Sequence, residues 1–423
     1  MSIRIASKIK KRIPFDFFQV FAFDIVSKIF MIVITILLIR ILTLTQYDDI
    51  VKFTAISGLF LGILGSGISI SYIRYSTEQI SRGEKSSVGL HMVSFIIIIG
   101  LSLFMLILVP IFTNLYKTST ELVVYASFYG IILSLINMNQ AFFQSRESYV
   151  KSGIVNNLRN VFMLFALICA IIFFAELDTK VVFLIYIVSG LIALIFGMVK
   201  IYKGVHFSDI FSDLSKCKLM IKDSFSIVIY CVFINLLNQV DIIMITNMMT
   251  KEDVAMYGIA LKYYSLLLTL LPSIQAVLKV RTSKKEYIDD ASQRKKFSTS
   301  WLKKSGLIII PSCTLIILTS GIFMPILNGH KYDGSINAFR ILVIGVAISY
   351  LFASNTSLMI TARKYKQLYL LALVALIFNF VANWFFVPIW GINAAAASTL
   401  ISQAIVNVSA TIFIIFDKGE LSI

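Results

Sequence analysis

Six basic side chains fall inside stretches of sequence that are otherwise strongly apolar: Lys28, Arg40, Lys52, Arg159, Lys262 and Arg340. In the middle of a bilayer each would cost at least about 2.5–3.5 kcal/mol on insertion scales, so each must snorkel, pair with an acid or line a wet cavity. Arg40, Lys52 and Arg340 stand within about two turns of a helix end, where a long side chain reaches the headgroups; snorkelling is expected for these three. Lys28, Arg159 and Lys262 lie deeper. Lys28 follows Asp24 by one turn on the same helical face, which leaves an internal ion pair and a cavity-facing role equally open. Lys262 has no acid within a turn, and Asp241 on the preceding helix is its nearest candidate partner. The chemistry on offer is capture of an anion by Lys28, Arg159 and Lys262, with Asp24 and Asp241 as candidate sites for a coupling ion, a proton or Na⁺.

Uncharged polar residues accompany these charges at helical spacing. Asn156, Arg159 and Asn160 share one face, as do Asn235, Asn238 and Asp241; Asn137 with Gln140, Asn379 with Asn383, and Gln403 with Asn407 repeat the pattern. A hydrogen bond between helices accounts for any single Asn in a membrane, but the repetition implies a polar interior. Asn156, Asn235 and Asn238 therefore join the three deep cations as candidate substrate-binding residues. Gly58 and Gly62 form a GxxxG pair suited to close helix packing and take no substrate role. Cys169, Cys217, Cys231 and Cys313 are scattered without metal or redox spacing, and His91, His206 and His330 are far apart. No metal site, cofactor or catalytic residue is expected.

The elements that must position these groups are membrane helices. The 423 residues are 58% hydrophobic and 14% charged, against about 45–50% and 25% in soluble domains. The apolar residues come in runs of about 20, the length that crosses a hydrocarbon core. Runs bounded by charge or Pro/Gly breaks predict helices near 17–41, 48–73, 88–110, 121–140, 153–175, 180–200, 222–246, 253–280, 305–326, 336–360, 367–388 and 391–416. The first run, Phe17 to Ile41, is too long for a signal-peptide core of about 7–15 residues and is expected to remain as a transmembrane helix. The fold class is thus all-α integral membrane, with about twelve spans.

Lys and Arg number 28 in the N-terminal stretch, the even-numbered linkers and the tail, but 4 in the odd-numbered linkers. By the positive-inside rule both termini and the even linkers are cytoplasmic. The net charge of +16 is then a topology signal on anionic lipid; a nucleic-acid partner is not expected, because aromatic or groove-reading context is missing.

Residues 17–73 laid on 222–278, an offset of 205, place Thr45 on Thr250 and Asp48 on Asp253. The basic, Tyr-containing linkers "SRESYVK" (Ser145 to Lys151) and "ARKYK" (Ala362 to Lys366) echo each other between the fourth and fifth helices of each half. With six helices per half, both halves enter from the same side, a parallel pseudo-two-fold repeat about the membrane normal. The expected domains are 1–204 and 205–423, with a central cavity between them.

The segments "AFFQSRESYVKSGIVNNLRNVFML" (Ala141 to Leu164) and "LLNQVDIIMITNMMTKEDVAMYGIALKYYSLLLTLLPSIQAV" (Leu236 to Val277) resemble the Wzx-type polysaccharide flippases of the multidrug/oligosaccharidyl-lipid/polysaccharide exporter superfamily. Asp241, Tyr257, Gly258, Lys262 and Pro272 match that family's pattern across its seventh and eighth helices. Tyr257 precedes Gly258 where the family has the reverse order, and Asp48-Asp49 stands where a Tyr-Gly pair is commoner.

The resemblance implies a carrier that moves an undecaprenyl-pyrophosphate-linked oligosaccharide from the cytoplasmic to the periplasmic leaflet of the bacterial inner membrane, for O-antigen or a related envelope polysaccharide, by alternating access. Coupling to a proton or Na⁺, and association with other glycan-assembly membrane proteins, belong to the same expectation. The residues suit it: a pyrophosphate needs cations on leaving water, and sugar hydroxyls need mixed donors and acceptors. A multidrug or cation antiporter of the same superfamily would want a mainly acidic or aromatic cavity, whereas here deep cations outnumber deep acids. A membrane glycan polymerase or ligase would want a long periplasmic loop with clustered acids, His or Arg; the longest such linker is about a dozen residues, with no DxD and no Gly-rich phosphate loop. The protein is therefore expected not to be an enzyme.

Overall fold

A computed structural model describes residues 22–23, 25–81, 88–173, 177–203, 214–271, 290–361 and 364–415, together with isolated positions between 274 and 282. Every regular element in it is helical: α1 (25–41), α2 (Leu44–Phe60), α3 (Gly67–Ser81), α4 (Val88–Ile107), α5 (Val109–Leu115), α6 (Thr120–Ser145), α7 (Tyr149–Phe173), α8 (Thr179–Tyr202), α9 (Leu214–Met248), α10 (Lys251–Leu267), α11 (Ala291–Asn328), α12 (Ser335–Leu351), α13 (Ala353–Thr361), α14 (Tyr365–Trp390) and α15 (Ile392–Ile415). A π-helical stretch, Leu61–Ser66, joins α2 to α3.

Among the described residues nine helices are long and apolar enough to cross a membrane, and the pair α12–α13, bent by 50°, makes a tenth. This is a multi-pass integral membrane protein. The described part of α1 and the whole of α10 are 17 residues each, at the lower limit of the roughly 17–25 a crossing helix needs. Several helices outrun the apolar segment that announces them. α9 starts at Leu214 where hydropathy places the span at 222, and α11 starts at Ala291 against 305. Intrahelical hydrogen bonding continues past the hydrocarbon boundary, whereas the apolar signal stops there.

Helix starts follow from local chemistry. Thr250 and Asp253 form a reciprocal capping box at the head of α10. Thr43 and Gln46 make the equivalent exchange at the head of α2, with Thr43 N donating to Gln46 Oε1 at 2.9 Å and Gln46 N to Thr43 Oγ1 at 3.3 Å. Each exchange satisfies two otherwise orphaned amides. α14 and α15 are separated by Gly391 alone, at φ +59°, a left-handed turn that a side chain would strain.

The chain forms two compact units, residues 1–37 with 52–235, and residues 38–51 with 236–423. The core of the first is aromatic: Phe53 stacks on Phe183 with centroids 4.5 Å apart, and Tyr129 and Tyr186 pack edge to face beside them. Gly62 lies against Asn235 so closely that a Cβ would come within 2.4 Å of that side chain, the close approach expected of the GxxxG pair at this position.

In the second unit Arg40 donates to the end carbonyls of α11, through Nε to Leu327 O at 2.9 Å and Nη2 to Ile326 O at 2.7 Å. Lys331 Nζ donates in turn to Leu42 O at 2.7 Å. Arg40 is thus a helix cap. Arg340 donates to Ser320 Oγ at 2.8 Å. The expectation that Lys52 snorkels is corrected: its side chain is 3% exposed and enclosed by protein, one turn from an equally buried Asp48.

Candidate functional site

The second unit holds one carboxylate at the meeting point of four helices. Asp241, on α9, is 2% exposed. Tyr257 of α10 donates its hydroxyl to Oδ2 at 2.6 Å, and Asn383 of α14 donates Nδ2 to Oδ1 at 2.7 Å. Thr399 of α15 also donates to Oδ2. Because Thr399 Oγ1 accepts from Asn379 Nδ2 at 3.3 Å, its own proton is free to point at the carboxylate. Asn379 Oδ1 accepts from Asn383 Nδ2 at 2.9 Å and holds that amide in place. Among the described residues three donors converge on this carboxyl, an arrangement in which its oxygens accept. The oxygens Asp241, Asn379, Thr399 and Tyr257 would suit a small hard cation. α15 extends this polar face: Gln403 donates to the Tyr264 hydroxyl and accepts from Ser349 at 3.2 Å, and Thr411 accepts from Asn355 at 2.6 Å.

In the first unit the polar face of α7 meets α1. Asn156 Nδ2 and Asn160 Nδ2 both donate to Ser27 Oγ, at 3.2 and 2.7 Å, and Asn157 Nδ2 donates to Phe23 O at 3.1 Å. Arg159 is half-buried, with Nη2 donating to Asn160 Oδ1 at 3.2 Å. Lys28, also half-buried, follows Ser27 directly in α1. Asn156 and Asn160 therefore form one seam between α7 and α1 through Ser27, and Arg159 and Lys28 are their chain neighbours on those two helices.

The other expected site residues are dispersed. Asn235 spends its amide on Cys231 O at 2.7 Å, along its own helix. Asn238 is exposed, and Lys262 is half-buried on α10, five residues beyond Tyr257. Asp24 lies outside the described residues. Thr399 had no place among the expected site residues; its signal was its position four residues before Gln403 on the face already marked as polar.

The all-helical membrane fold is shared with solved structures of known proteins. The lipid II flippase MurJ, in an inward closed conformation, matches with a TM-score of 0.72 at 14% identity over 93% of this chain and 87% of that one. An inward-facing multidrug resistance MATE family transporter of the MOP superfamily gives 0.74 at 11% identity over 92% and 94%. A MATE transporter of Vibrio cholerae gives 0.67 at 12% identity over 94% and 95%.

The sequence itself goes further than the fold. The chain belongs to the polysaccharide biosynthesis protein family, whose profile matches residues 16–278. Among curated proteins, none matches this sequence.

Proposed function

We propose that this protein is a flippase that carries undecaprenyl-pyrophosphate-linked glycan repeat units from the cytoplasmic to the periplasmic leaflet of the bacterial inner membrane by alternating access. The observation that carries this reading is membership of a polysaccharide biosynthesis family by a chain that keeps half-buried cations, Lys28, Arg159 and Lys262, on its membrane helices. A pyrophosphate brings at least two negative charges into a medium where unpaired charge is costly, and these three side chains are its proposed counter-charges. Asn156, Asn235 and Asn238 supply hydrogen bonds to the headgroup and sugars. In this reading twelve helices in two six-helix halves, 1–204 and 205–423, rock about a central cavity, with both termini cytoplasmic as the Lys and Arg count implies. The product is O-antigen or a related envelope polysaccharide, handed to other glycan-assembly membrane proteins.

Asp241 is the proposed coupling site, for Na⁺ or a proton, with Asp24 as a second candidate. Its neighbours leave a carboxylate, two amides and two hydroxyls facing one another inside one unit, an arrangement that can trade hydrogen bonds for a bound cation without moving the backbone. The fold it shares with MATE transporters favours one other reading, export of a cationic drug driven by the same site.

One experiment tests both. Arg159→Ala and Lys262→Ala are expressed in a strain lacking the flippase, with membrane levels matched. Loss of surface glycan in both supports the flippase; intact glycan with raised drug sensitivity favours the exporter and rejects the flippase.

A further inference from the structure

A pocket of about 60 Å³ opens in the first unit beside the turn that joins α6 to α7. Two rungs of polar side chains face across it, Gln140 and Gln144 from the end of α6, and Ser152 and Asn156 from the start of α7, with Phe23 and Tyr149 as aromatic walls. Gly153 sets one of those walls: a Cβ there would come within 2.4 Å of Phe23 Cγ, so glycine lets the ring lie directly on α7.

The hydrogen-bond inventory of this pocket is incomplete in a specific way. Gln144 Nε2 donates to Ser152 Oγ at 3.2 Å and Asn156 Nδ2 donates to Ser27 Oγ at 3.2 Å. Gln144 Oε1, Asn156 Oδ1 and both ends of the Gln140 amide have no protein partner among the described residues. Each amide offers a carbonyl acceptor, and Gln140 adds two donors. Among the described residues none that lines the pocket is charged, so a phosphate entering here would lose its water without gaining a counter-ion from them. A neutral group rich in hydroxyls loses little, because amide donors and acceptors replace its water one for one. The volume corresponds to roughly four to six waters at about 10–15 Å³ each, room for the hydroxyl-bearing edge of a sugar with the rest of the ring outside.

We infer that this pocket is a saccharide subsite that receives the hydroxyl-bearing edge of one uncharged sugar of the lipid-linked glycan, apart from the cations that take the pyrophosphate. The inference rests on the flippase reading and deepens it. The pocket lies at the end of the α6–α7 hairpin that the charge count makes cytoplasmic, the side from which a newly assembled repeat unit would be loaded. It gives the carrier a means of preferring glycosylated lipid over the bare carrier lipid, which has the same pyrophosphate.

The test compares two probes on the full-length protein in detergent by native mass spectrometry: the undecaprenyl-pyrophosphate-linked repeat unit extracted from a strain deleted for this protein, and undecaprenyl pyrophosphate alone. Wild type is expected to bind the glycosylated probe about three- to tenfold tighter, the worth of one or two net hydrogen bonds. Gln140→Leu, which breaks no hydrogen bond among the described residues, is expected to bring that ratio close to one while affinity for the bare lipid is unchanged; Gln140→Met serves if the leucine variant does not fold. Equal binding of both probes by wild type, or a ratio kept in the Gln140 variants, overturns the saccharide subsite alone. Failure of wild type to bind either probe overturns the flippase reading, and the subsite falls with it.

Discussion

Removing the Tyr257 hydroxyl should cost far more when Asp241 is present than when it is not. The O–H to Oδ2 separation of 2.6 Å lies in the range of hydrogen bonds to an ionised acceptor, about 2.5–2.7 Å. Tyr257 is 0% exposed, so no bulk water replaces the lost donor in Tyr257→Phe. A hydrogen bond to a charged group contributes about 1.5–3 kcal/mol, whereas neutral pairs between membrane helices average about 0.6 kcal/mol. Tyr257→Phe should therefore destabilise by about 2 kcal/mol, roughly 30-fold in the folded-to-unfolded ratio at about 1.4 kcal/mol per tenfold. In an Asp241→Asn background the same change should cost about 0.6 kcal/mol, which leaves a coupling of roughly 1–2 kcal/mol. The four proteins of this double-mutant cycle can be compared by equilibrium unfolding in mixed micelles titrated with SDS. Additivity within about 0.3–0.5 kcal/mol would refute the reasoning, since it would mean that the carboxylate draws nothing special from its tyrosine.

Further outcomes follow from other parts of the molecule. Gly62→Ala should destabilise by about 1–3 kcal/mol through overpacking against Asn235, and Asn235→Ala in the same chain should recover most of the loss in melting temperature. In liposomes with no ion gradient, an inside-negative potential should speed outward flipping of a doubly charged headgroup, the driving force being about 4.6 kcal/mol per 100 mV at about 2.3 per charge; a flat response would remove voltage as a driver. Asp241→Asn should abolish any acceleration by a Na⁺ or proton gradient, and comparing the two gradients identifies the ion. Cysteines placed at Lys117 and Lys203 should be labelled by an impermeant maleimide from the periplasmic and cytoplasmic sides respectively; labelling of both from one side would overturn the proposed orientation.

The architecture was legible because its signals are local. Apolar run length marks the helices, and the capping residues mark where they begin. Thr250 with Asp253, and Thr43 with Gln46, are readable as boxes before any packing is known. They also show the limit of the internal register. From Thr43 to Thr250 is 207 residues, two more than the offset of 205 that pairs Thr45 with Thr250, so an alignment of apolar runs slides where the caps do not.

What escaped the sequence was the identity of partners on distant helices. Asp241 stood out as a deep acid, but the convergence of Asn383, 142 residues on, and Thr399, 158 residues on, is a property of tertiary packing. Lys52 misled for the same reason: closeness to a helix end predicts reach to the headgroups only if no neighbouring helix covers the side chain. Gln144 and Ser152 flank a basic linker whose charges drew attention as topology markers, and their short contact became visible only when α6 and α7 were folded side by side.

The path of the backbone through the two units carries a mechanical consequence. The chain passes from one unit to the other at 37/38, 51/52 and 235/236, and all three crossings fall within helices, α1, α2 and α9. No flexible tether exists at these points to absorb a displacement, because each peptide there is hydrogen-bonded along a helix axis. Any swing of one body against the other must be taken up as curvature or as a transient break in those three rods. In the proposed alternating access, the bending stiffness of these helices, more than any hinge loop, would set how far and how fast that motion goes.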